Sequence, residues 1–377
     1  MADVRARVLT AAADMPAAQW DACAGADNPF TRHAFIDALE ASGSAVARTG
    51  WQAAHIVVDD DDGVPLGILP AYVKSHSQGE YVFDHGWGDA YERAGGRYYP
   101  KLQCAVPFTP ATGPRLLLRD PAIAPVLIAA TQTLARQNQL SSVHATFLTP
   151  DQQPLFADAD WLMRTGEQFH WSNDGYGDFG DFLGALASRK RKAIRKEREA
   201  ALADGLEIVH LTGAAITEAH WDAFWHFYQD TGQRKWGRPY LTRAFFSMLG
   251  ATMGERVLLM LALRDGRPIA GALNFIGGDC LYGRYWGASE DVPFLHFELC
   301  YYQAIDWAIA HGLARVEAGA QGAHKLARGY RPVATVSAHY IVDKGFRTAV
   351  ADFVTRESQM VAADIDAMDM ATPFRRG

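Results

Sequence analysis

Val257-Leu-Leu-Met-Leu-Ala-Leu263, the pair Asp265-Gly266, and Arg267-Pro-Ile-Ala-Gly-Ala-Leu273 read as two β-strands joined by a tight turn. The apolar run is too short for a helix, and Asp-Gly supplies the positive φ that a tight hairpin requires. Gly277-Gly278 then opens a third strand through Tyr282, Arg284 and Trp286. A helix is expected over residues 294–311, followed by one more strand over 315–319. The first half repeats this grammar. Residues 53–58 and 64–69 flank Asp62-Gly63 as strand, turn and strand, and residues 81–87 are expected to hold the third strand. A helix over 124–139 and a strand over 143–148 follow.

The shared order of strand, strand, strand, helix and strand, with the same turn chemistry, argues for a duplication. Its unit, an antiparallel meander followed by a helix and a strand inserted beside the last one, is the core of the GNAT fold. The expected class is therefore α+β: tandem GNAT-like acyl-CoA N-acyltransferase domains with mixed, mostly antiparallel sheets flanked by helices. The boundary predicts domains at 1–160, with an ordered-loop insertion at 89–115, and at 161–377, with a basic helix at 182–204 and a C-terminal helix. In such a fold a cleft between two splayed strands brings an acyl donor and an amine together.

The chain has 377 residues, 49% hydrophobic and 21% charged, which is enough for two cores. Its net charge of −7 excludes a general nucleic-acid coat and confines any polyanion contact to a local patch. Cys23, Cys104, Cys280 and Cys300 are widely spaced and form no CxxC pair. That pattern fits buried thiols in a reducing compartment better than a disulfide framework or a zinc site. The apolar stretch near the N-terminus is short, and no run approaches the ~20 apolar residues of a spanning helix, so a cytoplasmic protein without membrane insertion is expected. The thirteen histidines include no HExxH, and Asp59 to Asp62 reads as a hairpin turn, so no metal is expected.

Several stretches resemble the FemAB-like N-acyltransferases, a family labelled as peptidoglycan biosynthesis or recognition. They are Asp89-Ala-Tyr-Glu-Arg-Ala-Gly-Gly-Arg-Tyr-Tyr-Pro-Lys101, Ala105-Val-Pro-Phe-Thr-Pro110, Gln168-Phe-His-Trp171, Ser188-Arg-Lys-Arg-Lys192, His296-Phe-Glu-Leu-Cys-Tyr-Tyr302 and Glu317-Ala-Gly-Ala-Gln-Gly322 with His324-Lys325. Ile194-Arg-Lys-Glu-Arg198 and Phe227-Tyr-Gln-Asp-Thr-Gly-Gln-Arg234 also resemble the basic helix and helical hairpin of Fem-type aminoacyltransferases. The resemblance implies transfer of an acyl or aminoacyl group to an amine acceptor, a small molecule or peptide such as a cell-wall precursor. The alternative is a non-catalytic module that recognises such a precursor.

Glu317, in a short strand between apolar neighbours, is the expected general base, because an attacking ammonium must lose a proton. His296 and Glu298 open the helix beside the expected acyl position and complete the catalytic candidates. Gly319 to Gly322 is a permissive turn, and Gln321, His324, Lys325 and Arg328 are expected to bind substrate there, with Arg284 and Trp286 on the splayed strand. In the insertion, Tyr98, Tyr99 and Lys101 are expected on the acceptor side. Arg189, Lys190, Arg191 and Lys192 are candidate phosphate ligands. No glycine occurs between Gly287 and Gly312, where GNAT enzymes cradle the coenzyme A pyrophosphate, and Glu290 and Asp291 stand there instead. Between the two expected donors, acyl-CoA and aminoacyl-tRNA, the sequence therefore favours the second, with tRNA as a partner.

Overall fold

The computed structural model describes residues 4–236, 239–319 and 322–375. The chain divides into two compact units, Met1–Glu167 with Ala334–Asp364, and Gln168–Val333 with Ile365–Gly377.

The first unit carries β1 (Arg5–Leu9), β2 (Trp51–Ala53), β3 (His55–Asp59), β4 (Pro65–Leu69), β5 (Tyr72–Lys74), β6 (Lys101–Cys104), β7 (Leu117–Leu118) and β8 (Ser142–Ala145). The second carries β10 (Glu207–Thr212), β11 (Val257–Arg264), β12 (Arg267–Gly277), β13 (Cys280–Ala288) and β14 (Arg315–Glu317). Two strands change unit along their length. β9 (Leu162–Ser172) belongs to the second unit from Gln168 onward, and β15 (Arg331–Ile341) to the first from Ala334 onward.

In the first unit β1, β3, β4 and β7 form one antiparallel sheet. After β4 the chain passes Pro70-Ala71 into β5, which lies between β2 and β6 in a second sheet. There β6 runs parallel to β8, and β8 pairs antiparallel with Ala338–Ile341 of β15. The helix Ala124–Gln137 leads from β7 to β8 and packs Leu127, Ile128 and Ala135 into a core with Ile56, Leu69, Leu102 and Val143.

The third strand of this half is β6, whereas the residues expected to form it, 81–87, run into the helix His85–Arg93. The segment 89–115 is thus not a simple loop insertion. The signal was hidden because β6 reads Lys-Leu-Gln-Cys: Lys101 and Gln103 lie on one buried face and Leu102 and Cys104 on the other, so no apolar run marks it.

The second unit follows its sequence closely. β10, β11, β12 and β13 form an antiparallel meander, the helical segment from Leu295 to Ala310 follows, and β14 pairs parallel to β13. Leu258, Met260, Ala272 and Leu281 face Leu299, Ile305 and Ala308 in the core. The expected basic helix 182–204 is two helices, Phe179–Ala185 and Ser188–Ala201. Leu186 between them is extended (ψ 152°) and bridges to Phe374, which breaks the helical ladder. Leu183, Leu186, Ile194 and Ala201 are nonetheless buried.

One close contact fixes where β13 lies. A Cβ on Gly287 would sit 2.2 Å from the carbonyl oxygen of Phe227, in the helix Glu218–Trp236. Backbone cannot yield as a side chain does, so this helix and strand approach only because residue 287 is glycine. Gly287→Ala is expected to cost about 1–3 kcal/mol. Urea denaturation checks this, and an unchanged midpoint would refute the contact.

Candidate active site

β14 pairs with β13 only through Cys280–Tyr282 against Arg315–Glu317, while β13 continues along β12 as far as Ala288. Beyond Tyr282 the two parallel strands are no longer bonded. A cavity of about 100 Å³ occupies that opening, walled by Asn274, Arg284, Trp286, His296, Cys300 and Tyr301, with Ala318 and Gly319 beyond the end of β14. A second cavity of about 210 Å³ adjoins it, sharing Trp286 and His296 and adding Thr231, Glu290, Asp291 and Val292.

His296 and Trp286 meet edge to face at 5.3 Å. Tyr301 shares a 2.8 Å hydrogen bond with Nε2 of His324, which follows Gly322. Gly322 has φ 120°, and a Cβ there would fall 2.3 Å from the His324 ring, so glycine is needed for the imidazole to lie where it does. Lys325 is buried and donates to the carbonyl of Gly319 at 2.7 Å. Burial lowers its ammonium to about 8, while nearby Cys300 works in the opposite direction.

The expected residues Arg284, Trp286 and His296 are thus brought to one cavity, with His324 and Lys325 bonded to its wall. Gln321 lies outside the described residues. Sequence reasoning missed Asn274, Cys300 and Tyr301. Cys300 follows His296 by four residues, one shared face on an α-helix, so its signal was available, whereas Tyr301, five residues on, lies within a π-helical turn that spacing does not reveal.

Glu317 stands beside this opening. By alternation along β14, its side chain shares a face with Arg315 and with Cys280 and Tyr282 of β13, opposite the core residues Val316 and Leu281. Burial pushes its carboxyl up to about 7, although Arg315, 3.4 Å away, works against the rise. Oε2 accepts no hydrogen bond. His170 lies 3.8 Å from it, but burial lowers that imidazole to about 4, so it is neutral at neutral pH and forms no ion pair.

Three expectations are corrected. Glu298 is fully buried and does not wall the cavity: Arg198 approaches its oxygens at 3.0–3.2 Å and Gln303 donates at 2.7 Å. Arg328 is no substrate ligand, because its guanidinium lies 3.4 Å over the Phe297 ring and pairs with Glu197 at 2.9 Å. Lys101 and Tyr98 are buried within the first unit. Lys101 bonds Glu80 and Asp84 there, Tyr98 bonds Asp84 at 2.6 Å, and Tyr99 bonds Ser77 at 2.7 Å. Arg189, Lys190 and Lys192 are exposed and Arg191 is half-buried, with no ion-pair partner among the described residues.

The matching opening of the first unit is filled. Arg115, buried at the ends of β6 and β8, donates to the carbonyls of Thr146, Ala111, Gly113 and Pro114 at 2.7–3.2 Å. Among the described residues, the splay of the second unit borders a cavity.

Glu317 carries a stability signature. Its carboxyl titrates near 4.5 in an unfolded chain and near 7 in the fold, so between these values the folded state holds a proton that the unfolded state has released. Stability from this group is full below pH 4.5 and is lost as pH rises through 7, on the order of 3 kcal/mol in all. Glu317→Gln should remove that part of the slope. Urea titrations of both proteins across this range test it, and parallel curves would refute it.

The sequence matches the FemAB-like family, described as peptidoglycan biosynthesis/recognition, over residues 11–376. No curated protein matches it. Among solved structures, FemX is 12% identical with a TM-score of 0.54, over 89% of this chain and 98% of FemX. L-PGS from Bacillus licheniformis is 11% identical with a TM-score of 0.52, over 88% of this chain and 98% of that one. At such identities the likeness concerns the fold, and it agrees with the duplicated meander and splayed strand described above. On the family match over nearly its whole length, the chain belongs to the FemAB-like family.

Proposed function

We propose that the cleft of the second unit moves an acyl or aminoacyl group from an activated donor to the amine of a peptide or cell-wall precursor. The observation that carries this reading is the open splay between β13 and β14, with His296 and Tyr301 both facing its cavity. An attacking ammonium must lose a proton and the departing group must gain one. His296, which walls both cavities, is placed to take the first, and Tyr301, bonded to His324, to supply the second. Burial holds the Tyr301 phenol protonated, as a proton donor requires. Lys325 and the Gly319 turn stand where charge would gather on the carbonyl oxygen. Glu317 is a second proton acceptor beside the opening, poised near neutrality.

For the donor, the cavity at the start of the helical segment is lined by Asp291 and by Glu290, which pairs with Arg264 at 3.4 Å, and its lining offers no lysine or arginine to a pyrophosphate. Phosphates are better met by the exposed cations of the helix Ser188–Ala201, so aminoacyl-tRNA is favoured over acyl-CoA.

Transfer assays with charged tRNA and with acetyl-coenzyme A, each offered a peptide amine, test the reaction. His296→Ala and Tyr301→Phe are expected to lower kcat about 10²–10⁴-fold with little change in donor affinity. Binding of both ligands without turnover would instead identify a recognition module.

The donor assignment has its own test. Replacing Arg189, Lys190, Arg191 and Lys192 with Ala should weaken tRNA binding and lower the slope of log K against log salt by about 3, without lowering the melting temperature. Micromolar binding of acetyl-coenzyme A, unaltered in this variant and in Lys325→Ala, would overturn the assignment.

A further inference from the structure

The helix Ser188–Ala201 touches the cleft helix at two consecutive residues. Arg198 grips Glu298 at 3.0–3.2 Å, and Glu197 accepts from Tyr302 and pairs with Arg328 at 2.9 and 3.0 Å. Glu298 and Tyr302 are the first and last residues of a π-helical turn, Glu298–Tyr302, set between Leu295–Phe297 and Gln303–Ala310. Cys300 and Tyr301, inside that turn, wall the cavity.

A π turn holds one residue more than an α turn and is retained only where tertiary contacts hold it. Relaxing it to α geometry turns the residues on one side by roughly 100° relative to the other. Gln303–Ala310 is anchored by buried Ala304, Ile305 and Ala308, so the preceding residues would move. That side already begins at Phe294 in the left-handed region, φ 63°. An α-helical register is thus the alternative arrangement open to this turn, and a switching element needs such an alternative.

The opposite face of the basic helix is unpartnered. At about 100° per residue, Ile194, Arg198 and Ala201 point inward, while Arg189, Lys192, Arg195 and Lys196 point outward. These four cations are exposed and have no ion-pair partner among the described residues. Among them lie Ser188 and the exposed Glu199, with Ala193 and Ala200 at the edge, so the face keeps an excess of three positive charges and has no large apolar side chain to bury in a lipid surface. Its chemistry fits a row of nucleic-acid phosphates.

We propose that the basic helix couples the two faces: RNA phosphates bound on its outer side fix the π turn through Arg198–Glu298 and Glu197–Tyr302, and so place Cys300 and Tyr301 in the cleft. This rests on the phosphate-binding reading of the helix and adds that its occupancy regulates the site.

Cys300 reports on the cleft without any knowledge of the substrate, because Cys23, Cys104 and Cys280 are buried and it is only half-buried. In the full-length protein its alkylation by iodoacetamide, followed by mass spectrometry, should change about fivefold or more when a short RNA hairpin saturates the protein. In the double variant Arg198→Met/Glu298→Gln, which keeps an acceptor for Gln303, the hairpin should bind with the same salt slope while the change in alkylation disappears. Melting curves establish that the variant is folded, and Glu197→Gln, which loosens the second tether, serves as an independent variant. RNA binding with unchanged alkylation in the wild type overturns the coupling, as does a change that persists in both variants. Absence of RNA binding, or binding to anionic lipid vesicles in its place, refutes the phosphate reading and the coupling together, whereas the first two outcomes leave that reading intact.

Discussion

The second unit depends on a parallel contact three residues long. β13 must stay in register with β12 to Ala288, yet β14 ends at Glu317 and Gly319 turns away with φ 74°. Beyond Tyr282, β13 therefore borders a cavity rather than a paired strand. The strand cannot drift to close the gap, because the Glu218–Trp236 helix presses its backbone onto Gly287. In the first unit the same backbone plan arrives at a different end. Arg115 satisfies four carbonyls there, and burial without a carboxylate partner lowers its guanidinium to about 10. Removing that side chain would leave several buried acceptors unpaired, at about 1–3 kcal/mol each. The duplication thus gives one copy whose splay is filled by a buried guanidinium and one whose splay borders a cavity.

Two buried carboxylates show how geometry decides ionisation. Burial pushes Asp84 up, yet Lys101, in direct hydrogen-bond contact, and nearby His144 together hold it well below the usual carboxylate range. Burial also pushes Glu317 up, but its partner Arg315 stands 3.4 Å away, is only partly buried and divides its charge with Asp279. There desolvation wins. Contact alone does not settle the outcome: Glu80 bonds Lys101 at 2.7 Å, yet burial and the neighbouring Asp84 push its carboxyl up to about 7 as well. All three keep one oxygen without a hydrogen bond, and Glu317 differs in lying in a strand that borders a cavity.

The second unit was legible because its strands carry long apolar runs separated by Asp-Gly and Gly-Gly, and local signals of that kind agree with the fold. The first unit was read correctly wherever the same holds, at β3, β4, the helix Ala124–Gln137 and β8. It was misread at β6, where polar residues face inward: Lys101, Gln103, His144 and His339 line one buried sheet face, a pattern that single-sequence periodicity reads as solvent. The site was legible in part for a related reason. Arg284, Trp286 and His296 stand out by residue type near an expected splay. The pairing of Arg328 with Glu197 and of Arg198 with Glu298 joins residues about a hundred or more positions apart, and no local rule links them.

Those pairs also explain the arrangement of charge. The chain is acidic overall, yet its basic helix is not simply a solvated surface. Arg198 and Glu197 look inward to tie it to the cleft helix, while Arg189, Lys192, Arg195 and Lys196 look outward to solvent. Like charges on adjacent helical turns repel, so concentrating four on one face costs stability unless an anion meets them. At the adjoining cavity the sign is reversed: Asp291 stands beside Trp286, with Glu290 already paired to Arg264, a lining more hospitable to an ammonium than to a phosphate. The molecule thus presents cations on the outer face of one helix and anions at the cavity. An acyl donor carrying its phosphates on a long polyanion, with a cationic amine entering the cavity, fits both signs at once, whereas a compact donor that brings pyrophosphate into the cavity fits neither.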